Sequence, residues 1–486
     1  MVAAKKSASL TRGSVVLTAS RVITVGIAYA LNVFLARQLG PDLFGLLAVI
    51  ITVLAWFELF VAEALPLWVV RVVDADSDGP LIPRSYLYAQ LGLSLVLAAV
   101  LFVLTPLLAQ LFRTPDDMLL YRVAALDLPL FALFTLLQGV ILGSRAYVLQ
   151  ATTDIGYSLA KLVATILLVG SGLAVMGAIV GSLMASVVGA SLAFALIAWR
   201  FSGRKLLGIS SAQATHTTGD AIRGSVVPVV LILSQSLAVS ADLWIVKALL
   251  PAADAGFYRA AGLFAHVPIT LSSGIVWGMY AAYSDAHRRG DTERMRHYVS
   301  QVTRLLVAAG GLWIAVIVPT ASALLTLVFS AEYAPGGTVL AILGVGMGVG
   351  MLGVAMAPLL LIEGHARGVL IGVLSILAVE IGSAVALTAR VGTSGAAAAV
   401  TGAYVVGTVL AFGAMRKHIT LRLASTFTRL LAPAVVVGVA AWVIDPAANV
   451  WLFAWYAVFA AAFAGMLFLT GAITRDDIAA IKGGLA

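Results

Sequence analysis

The stretch NVFLARQLGPDLFG, Asn32–Gly45, joins two long apolar runs, 14–36 and 43–70, through a Gly-Pro pair. Glycine and proline end helices and open turns, so this stretch predicts two membrane-length helices with a tight turn between them. The same pattern returns as DLWIVKALLPAADAGFY, Asp242–Tyr258, at an offset of 210 residues. In both copies a polar residue is followed by a basic residue five positions later and by a proline nine positions later.

A second pair of stretches supports an internal repeat. LGSRA, Leu142–Ala146, resembles EGHAR, Glu363–Arg367, in the same order along the chain and at a similar offset. Two such pairs predict two halves of six helices each. Because six is an even number, both halves enter the membrane in the same orientation and are related by an axis along the membrane normal.

The composition requires a membrane as the solvent. Of the 486 residues, 62% are hydrophobic and 11% are charged, whereas soluble domains have about 25% charged residues. This excludes a soluble enzyme, a disordered chain and a nucleic-acid-binding protein. The absence of cysteine excludes disulfides, thiolate metal sites and cysteine nucleophiles, and we find neither paired metal-ligand histidines nor a nucleophile motif.

The fold class that follows is an all-α polytopic membrane protein with about fourteen transmembrane helices. The predicted spans are 14–36, 43–70, 86–112, 118–142, 151–171, 174–199, 222–247, 255–283, 299–329, 337–362, 367–389, 395–415, 426–444 and 449–471. They group into an N-lobe (1–200), an inter-lobe linker (201–222), a C-lobe (223–418) and an appendix of two further helices with a tail (419–486). The charged segment 285–297 is predicted as a surface turn or a short interfacial helix.

The distribution of basic residues predicts the orientation. With a cytoplasmic N-terminus, 22 of the 30 Lys and Arg residues adjoin the cytoplasm and only 6 adjoin the outside. This bias fits the positive-inside rule and places both termini in the cytoplasm. The net charge of +8 follows from these basic cytoplasmic loops, which face anionic membrane lipids.

Three stretches carry a resemblance to a known family: Ala36–Pro41 with Phe44 and Gly45, Asp242 with Gly256–Tyr258 and Ala260–Ala261, and Phe329–Tyr333. The chain resembles the bacterial polysaccharide (oligosaccharide-lipid) flippases in these motifs, in the order of the motifs and in the number of predicted spans. This Wzx-like family belongs to the multidrug/oligosaccharidyl-lipid/polysaccharide (MOP) flippase superfamily.

The resemblance implies two six-helix lobes in a V, with helices 1, 2, 7 and 8 lining a central cavity, and transport by alternating access. It implies a non-enzymatic protein of the bacterial cytoplasmic membrane. The implied substrate is a polyprenyl-pyrophosphate-linked oligosaccharide for surface polysaccharide synthesis. Membrane lipids, a polysaccharide polymerase and glycosyltransferases are the expected partners, with no cofactor other than a coupling H⁺ or Na⁺ and no nucleic acid.

Polar residues within the predicted spans are the candidate functional residues, because a charge in a membrane needs a partner, water or a function. At helical spacing, Arg21 shares a face with Asn32, Gln235 shares one with Asp242, and Arg259, His266 and Ser273 form a stripe. The candidates for substrate binding are Arg21, Asn32, Gln235, Arg259 and His266. The candidates for ion coupling are Asp242, Glu63 and Glu58, and those that are either structural or coupling are Asp127, Asp154, Lys161 and Glu380.

Several alternatives stay open at this point. Asp154 and Lys161 share a face of the fifth span, and Asp127 and Gln138 share a face of the fourth. A buried Asp–Lys pair that packs these two spans together and an ion path are both open. The glycine-rich run Gly344–Gly353 favours close helix packing over a flexible gate. The alternative functions are a lipid II flippase, a cation-coupled multidrug antiporter and, ranked lower, a membrane polysaccharide polymerase or ligase.

Overall fold

The computed structural model describes residues 2–64, 82–201, 207–208, 218–417, 423–444, 446 and 449–471. Almost all of them are helical, which confirms the all-α prediction. Within the described residues, ten helical runs are long and apolar enough to cross a membrane. Two of these runs, Val15–Ala62 and Tyr147–Arg200, each contain a backbone break and hold two predicted spans.

The chain divides into two compact units, Met1–Ser240 and Ala241–Ala486. The helices of the first unit are α1 (Val2–Ala64), α2 (Arg84–Leu111), α3 (Met118–Ala125), α4 (Asp127–Gly143), α5 (Tyr147–Leu168) and α6 (Ala174–Arg200). Helix α7 (Thr218–Leu249) contains the boundary between the units. The helices of the second unit are α8 (Ala252–Ala265), α9 (Val267–Arg288), α10 (Thr292–Val328), α11 (Gly337–Ile362), α12 (Ala366–Val391), α13 (Thr393–Ala414), α14 (Leu423–Ile444) and α15 (Trp451–Leu469).

Two short strands, β1 (Ile82–Pro83) and β2 (Leu207–Gly208), pair in parallel in the first unit. The sequence did not predict this pairing, because two residues are too few to show the alternation typical of a strand.

Helix α1 bends at the Gly-Pro pair from which the two-helix prediction started. Gly40 has a φ of 70° and a ψ of 173°, outside the helical region, and Pro41 follows it. Glycine adopts this positive φ at no steric cost, so the chain changes direction there without a loop. Between α5 and α6 the chain makes a π turn, Val169–Leu173, in which Gly172 has a φ of 94°.

Two predicted spans are divided where a single helix was expected. The fourth span breaks at Leu126 between α3 and α4, and the eighth breaks at His266 between α8 and α9. Pro129 and Pro268 cause these breaks, because a proline ring clashes with the carbonyl of the residue four positions earlier. The uninterrupted apolar pattern hid both breaks.

The charged segment 285–297 forms the end of α9 and the start of α10 rather than a separate short helix. Gly290 turns the chain with a φ of 69°, and the Asp291 carboxylate accepts a hydrogen bond from the Arg294 N–H at 3.0 Å. Asp285 pairs with Arg288 and Arg289, whose side chains are largely exposed, so this segment is a polar helical hairpin.

The glycine-rich helix α11 packs closely against α13, which confirms the packing interpretation. A Cβ added at Gly346 would lie 2.6 Å from the Thr401 hydroxyl, and one added at Gly350 would overlap the Tyr404 ring. The Thr401 hydroxyl donates to the Ile342 carbonyl of α11 at 2.8 Å. Close approach of these helices therefore positions the Tyr404 side chain, which enters the site described below.

Candidate functional site

Each unit contains ionisable side chains among its apolar helices. A charged side chain at the centre of a membrane helix costs at least ~2.5–3.5 kcal/mol on insertion scales, so each of these groups needs compensation. The first unit has two such groups, around Asp154 and around Lys161, and the second unit has one, around Asp242.

The Asp154 group consists of Arg21 of α1, Gln138 of α4, and Thr153 and Asp154 of α5. The Gln138 amide donates to the Asp154 carboxylate at 2.6 Å, and the Thr153 hydroxyl donates to the Gln138 amide oxygen at 3.1 Å. The charge of Arg21 also acts on Asp154, although the Arg21 side chain is exposed. The hydrogen-bond partner of Asp154 is thus Gln138, a residue of the fourth predicted span.

The Lys161 cluster consists of Glu58 of α1, Asp127 of α4, Tyr157 and Lys161 of α5, and Ser186 of α6. The Lys161 ammonium lies 6.0 Å from the centre of the Tyr157 ring, and the charges of Glu58 and Asp127 both act on it. The Asp127 side chain is fully buried, and the hydroxyl groups of Ser182 and Ser186 of α6 lie toward it. Three charged groups from three helices, Glu58, Asp127 and Lys161, thus interact here.

Local helix geometry explains the position of Asp127. The break at Leu126 makes Asp127 the first residue of α4, where free backbone N–H groups and the helix dipole favour a negative charge. Asp127 and Gln138 were predicted to share a face of one span, yet they enter different groups. Gln138 lies beside Asp154, whereas Asp127 lies beside Lys161.

The Asp242 cluster of the second unit consists of Asp242 of α7, Tyr258 and Arg259 of α8, Glu380 of α12 and Tyr404 of α13. The Tyr258 hydroxyl donates to one Asp242 oxygen at 2.8 Å, and the Leu243 N–H donates to the other at 2.7 Å. Arg259 acts on Asp242 through its charge. The electrostatic partners of Glu380 are Asp242, Tyr258 and Tyr404.

Glu380 is the less compensated of the two acids in this cluster. Its side chain is buried, and one of its carboxylate oxygens, Oε1, has no hydrogen-bond partner within the described residues. The other acid of the cluster, Asp242, carries a like charge that acts on it. The cluster therefore has two acids whose charges are opposed mainly by hydroxyl and amide donors.

Other predicted site residues lie apart from these clusters. Asn32 donates to the Ala28 carbonyl of its own helix at 2.8 Å, and the His266 ring contacts the Gly262 carbonyl at 2.8 Å. The break at His266 interrupts the predicted stripe with Arg259, so that stripe does not run along one helix. Gln235 is exposed whereas Asp242 is buried. The side chains of Glu63 and Ser273 lie outside the described residues.

Sequence reasoning missed the tyrosines. Tyr258 belongs to the repeated motif and Tyr404 follows a run of small residues, but both were counted as apolar. Tyr157 lies one helical turn before Lys161, which is the spacing at which the two side chains meet. A tyrosine at helical spacing from a buried charge is the signal that could have identified it, since its hydroxyl supplies a hydrogen bond in an apolar setting.

Solved structures show which class of protein has this fold. The chain resembles "Lipid II flippase MurJ, inward closed conformation" with 12% identity, a TM-score of 0.75, and coverage of 96% of this chain and 99% of that one. It resembles the inward-facing conformation of a multidrug resistance MATE family transporter with 17% identity, a TM-score of 0.64, and coverage of 80% and 94%. A MOP superfamily transporter from Pyrococcus furiosus gives 17% identity, a TM-score of 0.53, and coverage of 87% and 96%. The fold is therefore that of MOP superfamily transporters.

The family assignment rests on sequence. The profile of the family described as "Polysaccharide biosynthesis protein" matches residues 10–278, more than half of the chain. The chain belongs to this family, which confirms the resemblance seen in its motifs. A search of curated protein sequences gives no match. The chain is therefore a multi-pass membrane protein of this family with the fold of MOP superfamily transporters.

Proposed function

We propose that this protein translocates a polyprenyl-pyrophosphate-linked oligosaccharide repeat unit across the bacterial cytoplasmic membrane, by alternating access, for surface polysaccharide biosynthesis. The observation that carries the proposal is the polysaccharide biosynthesis family match over residues 10–278 on a chain with a flippase fold. The family supplies the glycan context, and the fold supplies a way to move a large amphipathic molecule. A polysaccharide polymerase and glycosyltransferases are the proposed partners.

A flipping assay tests the proposal. The purified protein is reconstituted into proteoliposomes with a fluorescent polyprenyl-pyrophosphate oligosaccharide, and the fraction of label accessible from outside is followed over time. We expect protein-dependent exchange of this lipid and no exchange of a labelled phosphatidylcholine. Equal exchange of both lipids, or exchange of neither, contradicts the proposal.

Two relatives of the same fold define the alternatives. Likeness to the lipid II flippase extends over almost the whole of both chains and favours lipid II as the second candidate substrate. Likeness to multidrug transporters covers less of this chain. Parallel assays with labelled lipid II and with a cationic dye distinguish the two alternative functions, because each function predicts preferential transport of its own substrate.

Two arginines are the proposed contacts for the pyrophosphate. Arg21 is exposed on α1 of the first unit, and Arg259 lies on α8 of the second unit. Guanidinium groups bind phosphate oxygens with two parallel hydrogen bonds, which lysine does not reproduce. Asn32, Gln235 and His266 are proposed as polar contacts of the glycan.

Single substitutions test these cations. We expect Arg21→Ala and Arg259→Ala each to slow flipping while folded protein remains in the membrane, and the lysine variants to recover part of the rate. Arg390→Ala, at the exposed end of α12, is the matched control. Normal flipping by an Arg21→Ala/Arg259→Ala double variant would contradict the proposed role of both residues.

A coupling cation is proposed for the Asp242 cluster. Asp242 and Glu380 place two carboxylates among tyrosine hydroxyls, and Glu380 has an oxygen without a hydrogen-bond partner in the described structure. Carboxylates of this kind bind H⁺ or Na⁺ in one state and release it in another, which drives a conformational cycle. Flipping that does not respond to an imposed proton or sodium gradient would contradict the coupling.

The proposed orientation has both termini in the cytoplasm of the inner membrane. The chain has no cysteine, so a single cysteine introduced at Asp285 or at Asp116 is the only thiol that a maleimide can label. We expect an impermeant maleimide to label Asp285→Cys only from the cytoplasmic side and Asp116→Cys only from outside. The reverse pattern would overturn the orientation.

A further inference from the structure

One face of the short helix α3 in the first unit carries an arginine between two leucines. Leu119, Arg122 and Leu126 are three and four residues apart, so they lie on the same side of α3 and of its C-terminal cap. Both leucines are exposed, whereas Tyr121 and Ala124 of the same helix are buried. An exposed apolar face on a membrane-spanning run contacts lipid hydrocarbon. Arg122 therefore lies on a lipid-facing surface.

A phenylalanine of the neighbouring helix α2 holds the Arg122 guanidinium. The central carbon of the guanidinium lies 4.9 Å from the centre of the Phe102 ring, within the range of a cation–π contact. The Phe102 side chain is 47% exposed, and Val103 and Leu107 of the same helix are exposed as well. The ring and the cation thus lie together on one apolar surface, where the ring limits the positions that the long arginine side chain can take.

The charge of Arg122 is not balanced by its own helix or by the helix that holds it. Neither α2 nor α3 contains an aspartate or a glutamate. Across the described parts of the chain, the Arg122 side chain makes no ion pair and no hydrogen bond, and its Nε atom is buried without a partner. A guanidinium has five N–H groups, four of them on the two terminal nitrogens. These four groups remain for an anion from outside the protein.

The depth of Arg122 matches the level of the lipid headgroups. Arg122 is the eighth residue of the membrane-length run Pro115–Gly143, and at ~1.5 Å per residue it lies about 10 Å from the start of that run. Each headgroup layer of a bilayer is about 5–8 Å thick, which puts Arg122 near the boundary between headgroups and hydrocarbon. An arginine at this depth keeps its stem in hydrocarbon and extends its charged end to the phosphates.

A phospholipid phosphate has the chemistry that this site requires. Its oxygens accept two parallel hydrogen bonds from one guanidinium, and its acyl chains cover an exposed apolar surface. An anionic headgroup suits the site better than a zwitterionic one, because no ammonium group cancels the charge of its phosphate. The exposed leucines on either side of the arginine favour a lipid over a free anion, since a free anion leaves them uncovered.

We propose that Arg122 and Phe102 form a binding site for an anionic phospholipid on the lipid-facing surface of the first unit. Arg122 binds the phosphate, Phe102 holds the guanidinium, and Leu119 and Leu126 contact the acyl chains. The bound lipid fixes the depth of α3 in its leaflet. The site is separate from the groups described above, and it does not depend on which substrate the protein transports.

Fluorescence quenching by brominated lipids tests the site on the full-length protein in proteoliposomes. Because the chain has no cysteine, Leu119→Cys provides a single attachment point for a fluorophore beside Arg122. Val439→Cys provides one on an exposed apolar part of α14. Bromine quenches a fluorophore only in its immediate vicinity. Quenching by brominated phosphatidylglycerol relative to brominated phosphatidylcholine therefore measures the local preference for the anionic lipid.

At the Leu119 position we expect a preference for phosphatidylglycerol of about 5-fold, the contribution of one basic residue near a membrane surface. Arg122→Gln should remove this preference, and Arg122→Lys should keep part of it, because the charge remains without the planar fork. Phe102→Leu should lower the preference by about 2-fold, since the cation–π contact is lost. Arg390→Gln removes an equal charge from the exposed end of α12 and is the matched control, with an unchanged preference.

An unchanged preference in Arg122→Gln would overturn the proposal. An equal preference at the Val439 position would also overturn it, because the selection would then belong to the whole lipid boundary. Loss of the preference on addition of inorganic phosphate, but not of chloride at the same ionic strength, would make the ligand a free anion. Thermal unfolding identifies any variant that does not fold. If Arg122→Gln is one of these, an unchanged preference in Phe102→Leu, which alters an exposed side chain, contradicts the site.

Discussion

The Lys161 cluster of the first unit and the Asp242 cluster of the second unit compensate buried carboxylates in different ways. In the first unit a lysine from α5 supplies a full positive charge to Glu58 and Asp127. In the second unit Asp242 receives hydrogen bonds from the Tyr258 hydroxyl and a backbone N–H. In the first cluster the charge of a lysine acts on both acids, whereas in the second a tyrosine hydroxyl and a backbone N–H donate hydrogen bonds to Asp242.

The repeated motif shows the same divergence at a single position. Asn32 and Asp242 are equivalent in the repeat, but Asn32 bonds to the carbonyl of its own helix. Asp242 is buried and bonded to another helix through Tyr258. A shared sequence pattern therefore places equivalent residues at the same helical position without giving them the same environment.

The largest effect on transport is expected from substitution of Asp242 in the second unit, compared with Asp154 in the first unit. Asp242→Asn should lower gradient-driven flipping by about 5- to 150-fold, the range of a typical coupling free energy, because the amide does not exchange a cation. Asp154→Asn should cause a smaller loss, since Gln138 already holds Asp154 by hydrogen bonding. The proteoliposome flipping assay measures both, with the exposed Asp116→Asn as control. Equal losses of flipping in Asp242→Asn and Asp154→Asn would mean that the two acids do not differ in their role.

The next largest effect is expected on protein stability, from tighter packing next to Tyr404 of the Asp242 cluster. Gly350→Ala should destabilise the protein by about 1–3 kcal/mol, because the added methyl group overlaps the Tyr404 ring. Gly382→Ala on α12 has open space around its Cβ and should be neutral or slightly stabilising. Thermal unfolding in detergent, followed by tryptophan fluorescence, measures both. Similar unfolding temperatures for the two variants would mean that α11 does not position Tyr404.

Removal of one hydroxyl from the Asp242 cluster should have a smaller effect. Tyr258→Phe removes the hydroxyl donor of the Asp242 carboxylate, and we expect a loss of about 1 kcal/mol of stability. The cation dependence of flipping should change as well. Tyr88→Phe, at a tyrosine that is 68% exposed, is the control. If Tyr258→Phe behaves like Tyr88→Phe in both assays, hydrogen bonding is not what holds Asp242.

The smallest effect is expected in the Asp154 group. Thr153→Val keeps the shape of the side chain but removes the hydrogen bond to Gln138, and we expect a loss of about 0.5 kcal/mol. Flipping should stay close to wild type, because the bond between Gln138 and Asp154 remains. A chemical unfolding curve and the flipping assay measure the two quantities. A large transport defect in Thr153→Val would contradict this prediction and would mean that the Asp154 group acts in transport.

Features that depend on short stretches of sequence could be predicted. The bend at Gly40–Pro41 follows from two adjacent residues, and the packing role of the α11 glycines follows from their spacing along one helix. The helix breaks at Leu126 and His266 were missed although Pro129 and Pro268 marked them. Hydropathy averages over a window of residues, so a proline inside an apolar run does not lower the signal.

Partner choice across helices could not be predicted. Asp154 shares a helical face with Lys161, yet its hydrogen-bond partner is Gln138, on a different helix. Asp242 was expected to share a helical face with Gln235, yet its hydrogen bonds come from Tyr258 of another helix and from a backbone N–H. Helical periodicity gives the direction of a side chain around its own axis but not the rotation and depth of the neighbouring helix.

The sequence by itself determined that the chain lies in lipid, that it is helical, that it contains a repeat and that it belongs to this family. Each of these depends on composition or on spacing along the chain, and an apolar chain in lipid must satisfy its backbone polar groups within helices. Only the tertiary structure decided that Lys161 meets Glu58 and Asp127 while Asp242 meets Tyr258. These contacts join residues from different helices, and their energies depend on distances and burial that exist only once the helices have packed.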